Sequence, residues 1–271
     1  MVEPLEALAE AARAIAAGNL SVRASLTSPA PTEATQMVAD FNAMAGRLEK
    51  AVDDIVTWNS LIAHELRTPV TILKGRLQGL AEGGFKPEPA LLQSLQQQAD
   101  ALARLVEDLR VVSLLDSGRL HLRPVEIDLA LEIEGVARLI ERDLDKAGFS
   151  LRMTLASGRC VADPMRLRQA LLALVDNAVK YAEPCVLEIA TSISEAEVLI
   201  SVVDSGPGMP PSLAALAFEP FRRGADLDNK SGSGLGLAVV RGIAEAHGGR
   251  VTYEGRDGRS AFTMSLPRGL A

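Results

Sequence analysis

Apolar residues recur at helical spacing through the first part of the chain. Over residues 4–20 an Ala-rich run has apolar positions three and four apart and stops at Gly18-Asn19, a pair that favours a left-handed helix end. A proline-containing connector at 28–31 precedes a second helix with one apolar stripe. The residues of that stripe are Met37, Phe41, Met44 and Leu48. The pattern predicts two short helices joined by a connector.

A longer helix is predicted from Ala51 onward, because its apolar seam advances in steps of three and four. The seam consists of Ile55, Trp58, Ile62, Leu66, Pro69, Leu73, Leu77 and Leu80. The breaker-rich stretch 83–89 then predicts a turn into a second seamed helix, which ends near Leu115. Two helices with such wide stripes cannot cover each other, so we expect an antiparallel hairpin that pairs with a second copy. The result is a homodimer built on a four-helix bundle.

The pattern changes character after Gly118. Helices are predicted over 129–147 and 166–181, and short β-like runs occupy 186–191, 198–204 and 260–266. Glycine-rich turns separate the later elements, where a nucleotide could approach the backbone closely. The expected fold class is α+β, with helical modules followed by an α/β sandwich.

Composition excludes some classes of function. The 271 residues carry a net charge of -7, so the basic excess that binds a phosphate backbone is absent and no nucleic-acid partner is expected. The only cysteines, Cys160 and Cys185, lack metal-ligand spacing and are expected to be buried free thiols. No stretch approaches the ~20 apolar residues of a membrane-spanning helix.

The segment from Leu61 to Pro69 places an imidazole beside a carboxylate. At about 100° per residue His64 lies roughly 200° from Ile62 and Leu66, so it is expected to face solvent. A neutral imidazole is a competent nucleophile towards a phosphoryl group, and Glu65 can take the departing proton or orient the ring. A lone surface histidine would more often be passive.

The predicted helix 166–181 ends in groups that suit a metal-bound polyphosphate. Asn177 offers an amide oxygen to Mg²⁺, Lys180 offers an ammonium to phosphate, and Tyr181 offers a phenol nearby. Taken alone, such residues usually cap a helix or face solvent.

Two glycine-containing segments follow. Asp204, Gly206 and Gly208 form D-x-G-x-G after a predicted strand, and the carboxylate can accept from the exocyclic amine of adenine. Alone this would be a plain turn about as often as not. The run Gly232–Leu237 leads into a helix over 238–246, where free backbone N–H groups favour phosphate.

These segments together resemble bacterial sensor histidine kinases of two-component systems. Residues 1–50 resemble a HAMP signal-relay module, and His64-Glu65-Leu66-Arg67-Thr68-Pro69 is similar to the phosphoacceptor box. The N, G1, F and G2 boxes of the ATP-binding domain resemble segments of this chain that occur in the same order. Those segments are Asp176–Tyr181, Asp204–Gly208, Phe218–Phe221 and Gly232–Gly236.

The resemblance implies three domains, with boundaries at 1–50, 51–118 and 119–271, the last of the Bergerat or GHKL type. It implies that His64 is phosphorylated from ATP, with Mg²⁺ on Asn177, and that Glu65 acts as acid or base. It also implies phosphotransfer to an aspartate of a response regulator, and that Thr68 positions water for removing that phosphate. The nucleotide-binding residues would be Asn177, Lys180, Tyr181, Asp204, Gly206, Gly208, Phe221, Arg222, Gly232, Gly234, Leu235 and Gly236.

The stretch between Met209 and Ser231 is predicted to be a mobile lid. Its cations Arg222, Arg223 and Lys230 could meet the phosphates on closure, although a solvated loop would have the same composition.

Two other functions remain open at this point. An ATP hydrolase of the superfamily that includes DNA gyrase would need a glutamate four residues before Asn177, but the residue there is Ala173, which cannot act as a base. Many histidine kinases have asparagine at this position, so Ala173 departs from that pattern as well. A dimeric scaffold that binds nucleotide without catalysis is the third possibility.

A HAMP module normally follows a transmembrane helix. The chain is therefore expected to be the cytoplasmic portion of a bacterial inner-membrane protein, anchored through a segment that precedes residue 1. The stimulus, the response regulator and the choice between cis and trans phosphorylation do not follow from the sequence.

Overall fold

A computed structural model describes residues 3–26, 31–206, 208–221, 233–256 and 258–269. Seven helices and seven strands occur within these ranges. The helices are α1 (Glu3–Ala16), α2 (Thr32–Ala81), α3 (Pro89–Asp116), α4 (Leu129–Lys146), α5 (Pro164–Tyr181), α6 (Pro211–Ala214) and α7 (Gly236–Ala246). The strands are β1 (Val125–Asp128), β2 (Ser150–Thr154), β3 (Arg159–Ala162), β4 (Val186–Ile193), β5 (Glu197–Asp204), β6 (Arg250–Arg256) and β7 (Arg259–Pro267).

The chain divides into two compact units, Met1–Lys74 and Gly75–Ala271. In the first unit, α1 and the residues that follow it pack on the start of α2 around a small apolar core. The side chain of Asn42 holds this region together, since its Oδ1 accepts from the Ala24 N–H and its Nδ2 donates to the Ala24 carbonyl, both at 2.8 Å. Arg23 pairs with Glu49 about two turns further along α2. These contacts tie the residues after α1 to the helix that carries His64.

The helix α2 continues without interruption from Thr32 through Pro69 to Ala81. The sequence predicted a short helix and then a bundle helix on either side of residue 50, and the structure joins them into one. The predicted turn at 83–89 is confirmed, because α2 ends at Ala81 and α3 begins with Pro89. Across that turn Arg76 donates to the hydroxyl of Ser94.

The second unit contains a five-stranded sheet in the order β2-β4-β5-β7-β6. The β2-β4 pair is parallel and the other pairs are antiparallel. Alternate residues of β4, β5 and β7 are buried, and the helices α4, α5 and α7 each bury one apolar face. A small antiparallel pair, β1 and β3, stands apart from this sheet. The predicted α+β class, with an α/β layered domain after the helices, is confirmed.

The end of α3 packs against the helical layer of the second unit. Glu107 of α3 forms an ion pair with the nearly buried Arg166 of α5 at 3.2 Å. Leu115 of α3 fills the space above Gly242 of α7, where an added Cβ would lie 1.9 Å from the leucine Cδ1. The hairpin and the sheet domain therefore contact each other through α3.

Some local predictions are confirmed and others need correction. The predicted left-handed end of the first helix is confirmed, since α1 ends at Ala16 and Gly18 follows with φ of 96°. The strands β1, β2, β3 and β6 were not predicted, and the first three of them are only four or five residues long. Cys160 is buried as expected, and burial raises the pKa of its thiol, whereas Cys185 is only half-buried.

Among the helices within the described ranges, none combines the length and the apolar character needed to cross a membrane.

Candidate functional site

The helix α5 is fixed at its start by an aspartate cap. Oδ1 of the buried Asp163 accepts from the Met165 and Arg166 N–H groups at 3.0 and 3.2 Å, and Pro164 occupies the first turn. The buried His247 accepts from the Asp163 N–H at 3.0 Å through Nε2, so its Nδ1 carries the proton and donates to the Ile243 carbonyl at 2.8 Å. This contact holds the end of α7 against the beginning of α5.

The other end of α5 carries the polar groups predicted from the sequence. Asn177 and Lys180 lie half-buried in its last two turns. The Lys180 ammonium lies 4.9 Å from the centroid of the Tyr181 ring. Tyr181 ends the helix, and Ala182 follows in extended backbone. The amide oxygen, the ammonium and the phenol are thus neighbours.

The D-x-G-x-G segment lies directly beside the end of α5. Asp204 is the last residue of β5 and is only 5% exposed, and its Oδ1 accepts from the Gly206 N–H at 2.7 Å. A Cβ at Gly206 would lie 2.6 Å from Oδ1 of Asp204 and 3.3 Å from Cα of Ala182, so glycine favours this close approach. Burial raises the pKa of Asp204, while the bond from Gly206 opposes that shift. The structure therefore places a desolvated carboxyl group beside Ala182, where α5 ends.

The start of α7 meets the middle of α5. A Cβ at Gly236 would lie 3.8 Å from Cβ of Ala173, so the two helices approach closely at these small residues. Gly234 has φ of 67° and its carbonyl accepts from the Phe221 N–H at 2.9 Å. Phe221 itself has φ of 60°. Leu235 is fully buried, and this anchors the glycine segment.

These contacts place the D-x-G-x-G segment against the end of α5 and the start of α7 against its middle. Arg222 and Gly232, and the predicted lid cations Arg223 and Lys230, lie outside the described residues.

The predicted phosphoacceptor residues lie on α2. His64 is exposed, as the helical spacing predicts, and Glu65 is half-buried beside it. The exposed Thr68 lies one turn further, and its hydroxyl is 3.5 Å from the His64 carbonyl oxygen, at the outer limit of a hydrogen bond. An imidazole, a carboxylate and a hydroxyl are therefore close together on this helix.

A magnesium ion fits the residues present only if the nucleotide supplies most of its ligands. Within the described ranges no three His, Cys, Asp or Glu side chains are grouped as a metal site. Mg²⁺ often keeps several waters and binds phosphates, with few ligands from the protein. The neutral oxygen of Asn177 suits that role.

Sequence reasoning missed one contact of this region. The hydroxyl of Tyr253 on β6 accepts from the Met209 N–H at 2.7 Å, immediately after the D-x-G-x-G segment. No motif marks a lone tyrosine in a short strand, so only the sheet register reveals it.

Three family models match the chain. The HAMP domain matches residues 1–50, and the His Kinase A (phospho-acceptor) domain matches 56–118. The family described as histidine kinase-, DNA gyrase B-, and HSP90-like ATPase matches 162–270.

Individual relatives agree with these matches. The signal transduction histidine-protein kinase BaeS of Escherichia coli is 31% identical over 98% of this chain, which spans 58% of that protein. The solved structure of the histidine kinase AdeS of Acinetobacter baumannii is 36% identical, with a TM-score of 0.65 over 76% of this chain and 98% of AdeS. The histidine kinase ThkA, solved in complex with the response regulator protein TrrA, is 26% identical, with a TM-score of 0.60 over 81% of this chain and 64% of that chain.

Proposed function

This chain belongs to the sensor histidine kinases of two-component systems, and we propose that it transfers the γ-phosphoryl group of ATP to His64 and from there to an aspartate of a response regulator. The contact of Gly206 with Ala182 carries this proposal, because it places the buried Asp204 beside the α5 end that bears Asn177. The ATPase family match over 162–270 supports a nucleotide as the ligand of that site.

Each group in the site has a role in nucleotide binding. Asp204 accepts a hydrogen bond from the exocyclic amine of adenine. The buried carboxylate already accepts one hydrogen bond from the Gly206 N–H, and a second donor stabilises it further. The backbone lies close to the ligand at Gly206, Gly208, Gly234, Leu235 and Gly236. Phe221 orders the segment that contains Gly234. Lys180 pairs with phosphate and Tyr181 lies beside it. Arg222 and Gly232 complete the set by sequence position.

Asn177 is the proposed ligand of Mg²⁺. When bound, the ion would neutralise charge on the phosphates. Through the ion, the half-buried amide of Asn177 would hold and orient the phosphate group. The amide is neutral and would take no part in proton transfer.

The transfer itself uses the exposed imidazole on α2. A neutral ring nitrogen of His64 attacks the γ-phosphorus, the bond from phosphorus to the bridging oxygen breaks, and ADP leaves. Glu65 accepts the proton released by the ring. The methyl side chain of Ala173, where a hydrolase would need a base, supports transfer to histidine over hydrolysis.

The proposed domains are 1–50 for signal relay, 51–118 for dimerisation and phosphotransfer, and 119–271 for ATP binding. Large apolar residues of the helical modules stay exposed in the single chain, which supports a homodimer. Examples on α2 are Met37, Met44, Ile55 and Leu77, each more than half exposed. The HAMP match and the longer relatives support a membrane-anchored sensor whose kinase portion lies in the cytoplasm.

The response regulator is the proposed partner, supported by the complex of ThkA with TrrA. Phosphatase activity towards that partner is a further part of the proposal, with Thr68 positioning the attacking water.

Incubation with ATP labelled at the γ or the α position tests the proposed chemistry. The γ label should become attached to the protein, and that bond should break in acid and survive base. An α label retained by the protein, or a γ label that survives acid, would contradict transfer to histidine.

A further inference from the structure

The hydroxyl of Tyr253 reaches from the edge strand of the sheet to the chain beside the nucleotide site. Strand β6 lies at the edge of the five-stranded sheet, next to β7. The Met209 N–H donates to the tyrosine oxygen at 2.7 Å, a short bond for a nitrogen donor. Met209 directly follows Gly208, the last residue of the D-x-G-x-G segment.

Two glycines leave room for this hydroxyl. A Cβ at Gly255 would lie 2.4 Å from the Tyr253 oxygen, closer than real Cβ contacts allow. A Cβ at Gly208 would lie 3.1 Å from the same oxygen, and Gly208 also has φ of 75°, which disfavours any side chain. The backbone on both sides of the hydroxyl is thus open for the contact with Met209.

The tyrosine ring is held in place by aromatic neighbours. Tyr253 pairs with Phe262 across β6 and β7, and the ring centroids are 4.9 Å apart. Phe262 is 2% exposed and meets the edge of Phe218 at 6.3 Å. The packing of the ring on Phe262 therefore helps to hold the hydroxyl where the Met209 amide meets it.

The D-x-G-x-G segment is therefore held at both ends. At its start, Asp204 Oδ1 accepts a hydrogen bond from the Gly206 N–H, and Gly206 packs closely against Ala182. At its exit, the Met209 amide is bound to Tyr253. We propose that the Tyr253 hydroxyl is a positioning group for nucleotide binding, which fixes the exit of this segment so that Asp204 and the glycine backbone keep the spacing the nucleotide requires.

This proposal rests on the proposed function, because it assumes that the segment binds ATP. Tyr253 is not proposed to contact any reacting atom. It acts through Met209, so its loss should weaken binding more than it slows the transfer step at saturating ATP.

Tyr253→Phe in the full chain tests the positioning role, since it removes the hydroxyl and keeps the ring on Phe262. The Kd for ATP, measured by titration calorimetry, should rise about three- to tenfold, the effect of losing one hydrogen bond. The rate of γ-label incorporation at saturating ATP should stay within about twofold, so that KM changes and kcat does not. Hydrogen exchange at the Met209 amide, followed without nucleotide, should become faster.

Thr252→Val is the matched control, because Thr252 lies on the same strand and its hydroxyl points to the Thr263 carbonyl instead. It should leave the Kd and the Met209 exchange unchanged. If Tyr253→Phe does not fold, Gly255→Ala replaces it, since its methyl group would press on the hydroxyl and should also weaken ATP binding.

The outcomes separate the two proposals. Unchanged Kd and unchanged Met209 exchange in Tyr253→Phe would overturn the positioning role. Failure of the unmodified chain to bind ATP would overturn the proposed function and, with it, any role of Tyr253 in nucleotide binding. Faster Met209 exchange with an unchanged Kd would show a purely structural bond and would also overturn the proposal.

Discussion

Leu115 of α3 occupies the space that a side chain at Gly242 of α7 would need, since an added Cβ would lie within 1.9 Å of Cδ1. This contact packs the end of α3 against α7. Gly242→Ala should therefore lower the free energy of unfolding by about 1 kcal/mol, because the usual cost of overpacking, about 1–3 kcal/mol, exceeds the gain of about 0.5–1 kcal/mol that alanine gives a helix. Thermal and urea unfolding measure the change.

Gly135→Ala on α4 is the control for this substitution, because a Cβ at Gly135 meets nothing within 4 Å. Replacing a helical glycine with alanine there should stabilise by about 0.5–1 kcal/mol. The double variant Leu115→Ala, Gly242→Ala should lose less free energy of unfolding than the two single variants combined, by at least ~1 kcal/mol, because the two residues are in contact. Equal stability of Gly242→Ala and the unmodified chain would show that Leu115 is not seated there.

The junction of α3 with α5 should make stability depend on pH through Asp108. Burial raises the pKa of this carboxyl to about 6, and the nearby carboxylates Asp176 and Glu107 add to the rise. Gln169 Nε2 donates to Asp108 Oδ1 at 3.3 Å and, with Arg104, opposes the shift. The folded state holds the proton more tightly than the unfolded chain, so stability should fall as pH rises from about 4 to 6.

Asp108→Asn removes the titrating group and keeps an oxygen for Gln169. It should raise the free energy of unfolding at pH 7.5 by about 1–2 kcal/mol, and the gain should vanish towards pH 4. Glu107→Gln is the contrasting variant, because it removes the ion partner of Arg166 and should destabilise at pH 7.5. A gain for Asp108→Asn that is the same at pH 4 and pH 7.5 would refute this explanation.

The sequence predicted most of the helices, because apolar residues at helical spacing recur over many turns and every turn supports the same assignment. It predicted the last turn of α5 and the D-x-G-x-G segment for a different reason, namely that the residue types there have a specific chemistry. It failed for β6, where only Val251 and Tyr253 alternate with polar residues before Gly255 ends the pattern, and this strand is completed by pairing with β7.

The remaining failures also concern contacts that local pattern does not encode. Tyr253 and Met209 are far apart in sequence, and their bond depends on the register of β6 against β7. The same holds for the capped start of α5, where His247 binds the Asp163 backbone. In both places a single polar atom is positioned by tertiary packing.

Thr68→Ala should separate the two activities proposed for the phosphoacceptor helix. The exposed hydroxyl lies one turn from His64, where it can orient a water that attacks the partner's phosphoaspartate. The variant should incorporate γ label at the normal rate and remove phosphate from the partner at least about tenfold more slowly. The first rate is measured with γ-labelled ATP and the kinase alone, and the second with a phosphorylated receiver domain.

Thr71→Ala, one turn further along α2, is the control and should leave both rates unchanged. The alternative is that Thr68 only accommodates Pro69, because the residue before proline is restricted in conformation. In that case Thr68→Ala would lower the melting temperature and reduce both rates in equal proportion, and the phosphatase role would fail.

The identity of the phosphorylated side chain is the central claim, and His64→Gln tests it most directly. The exposed histidine is replaced by a residue of similar polarity, so the fold of α2 and the ATP site of the other unit should be preserved. The measurement is γ-label incorporation together with the Kd for ATP, in the variant and in the unmodified chain. His64→Gln should carry no acid-labile label, and its Kd for ATP should equal that of the unmodified chain. Acid-labile label at the normal level in the variant would contradict phosphorylation of His64.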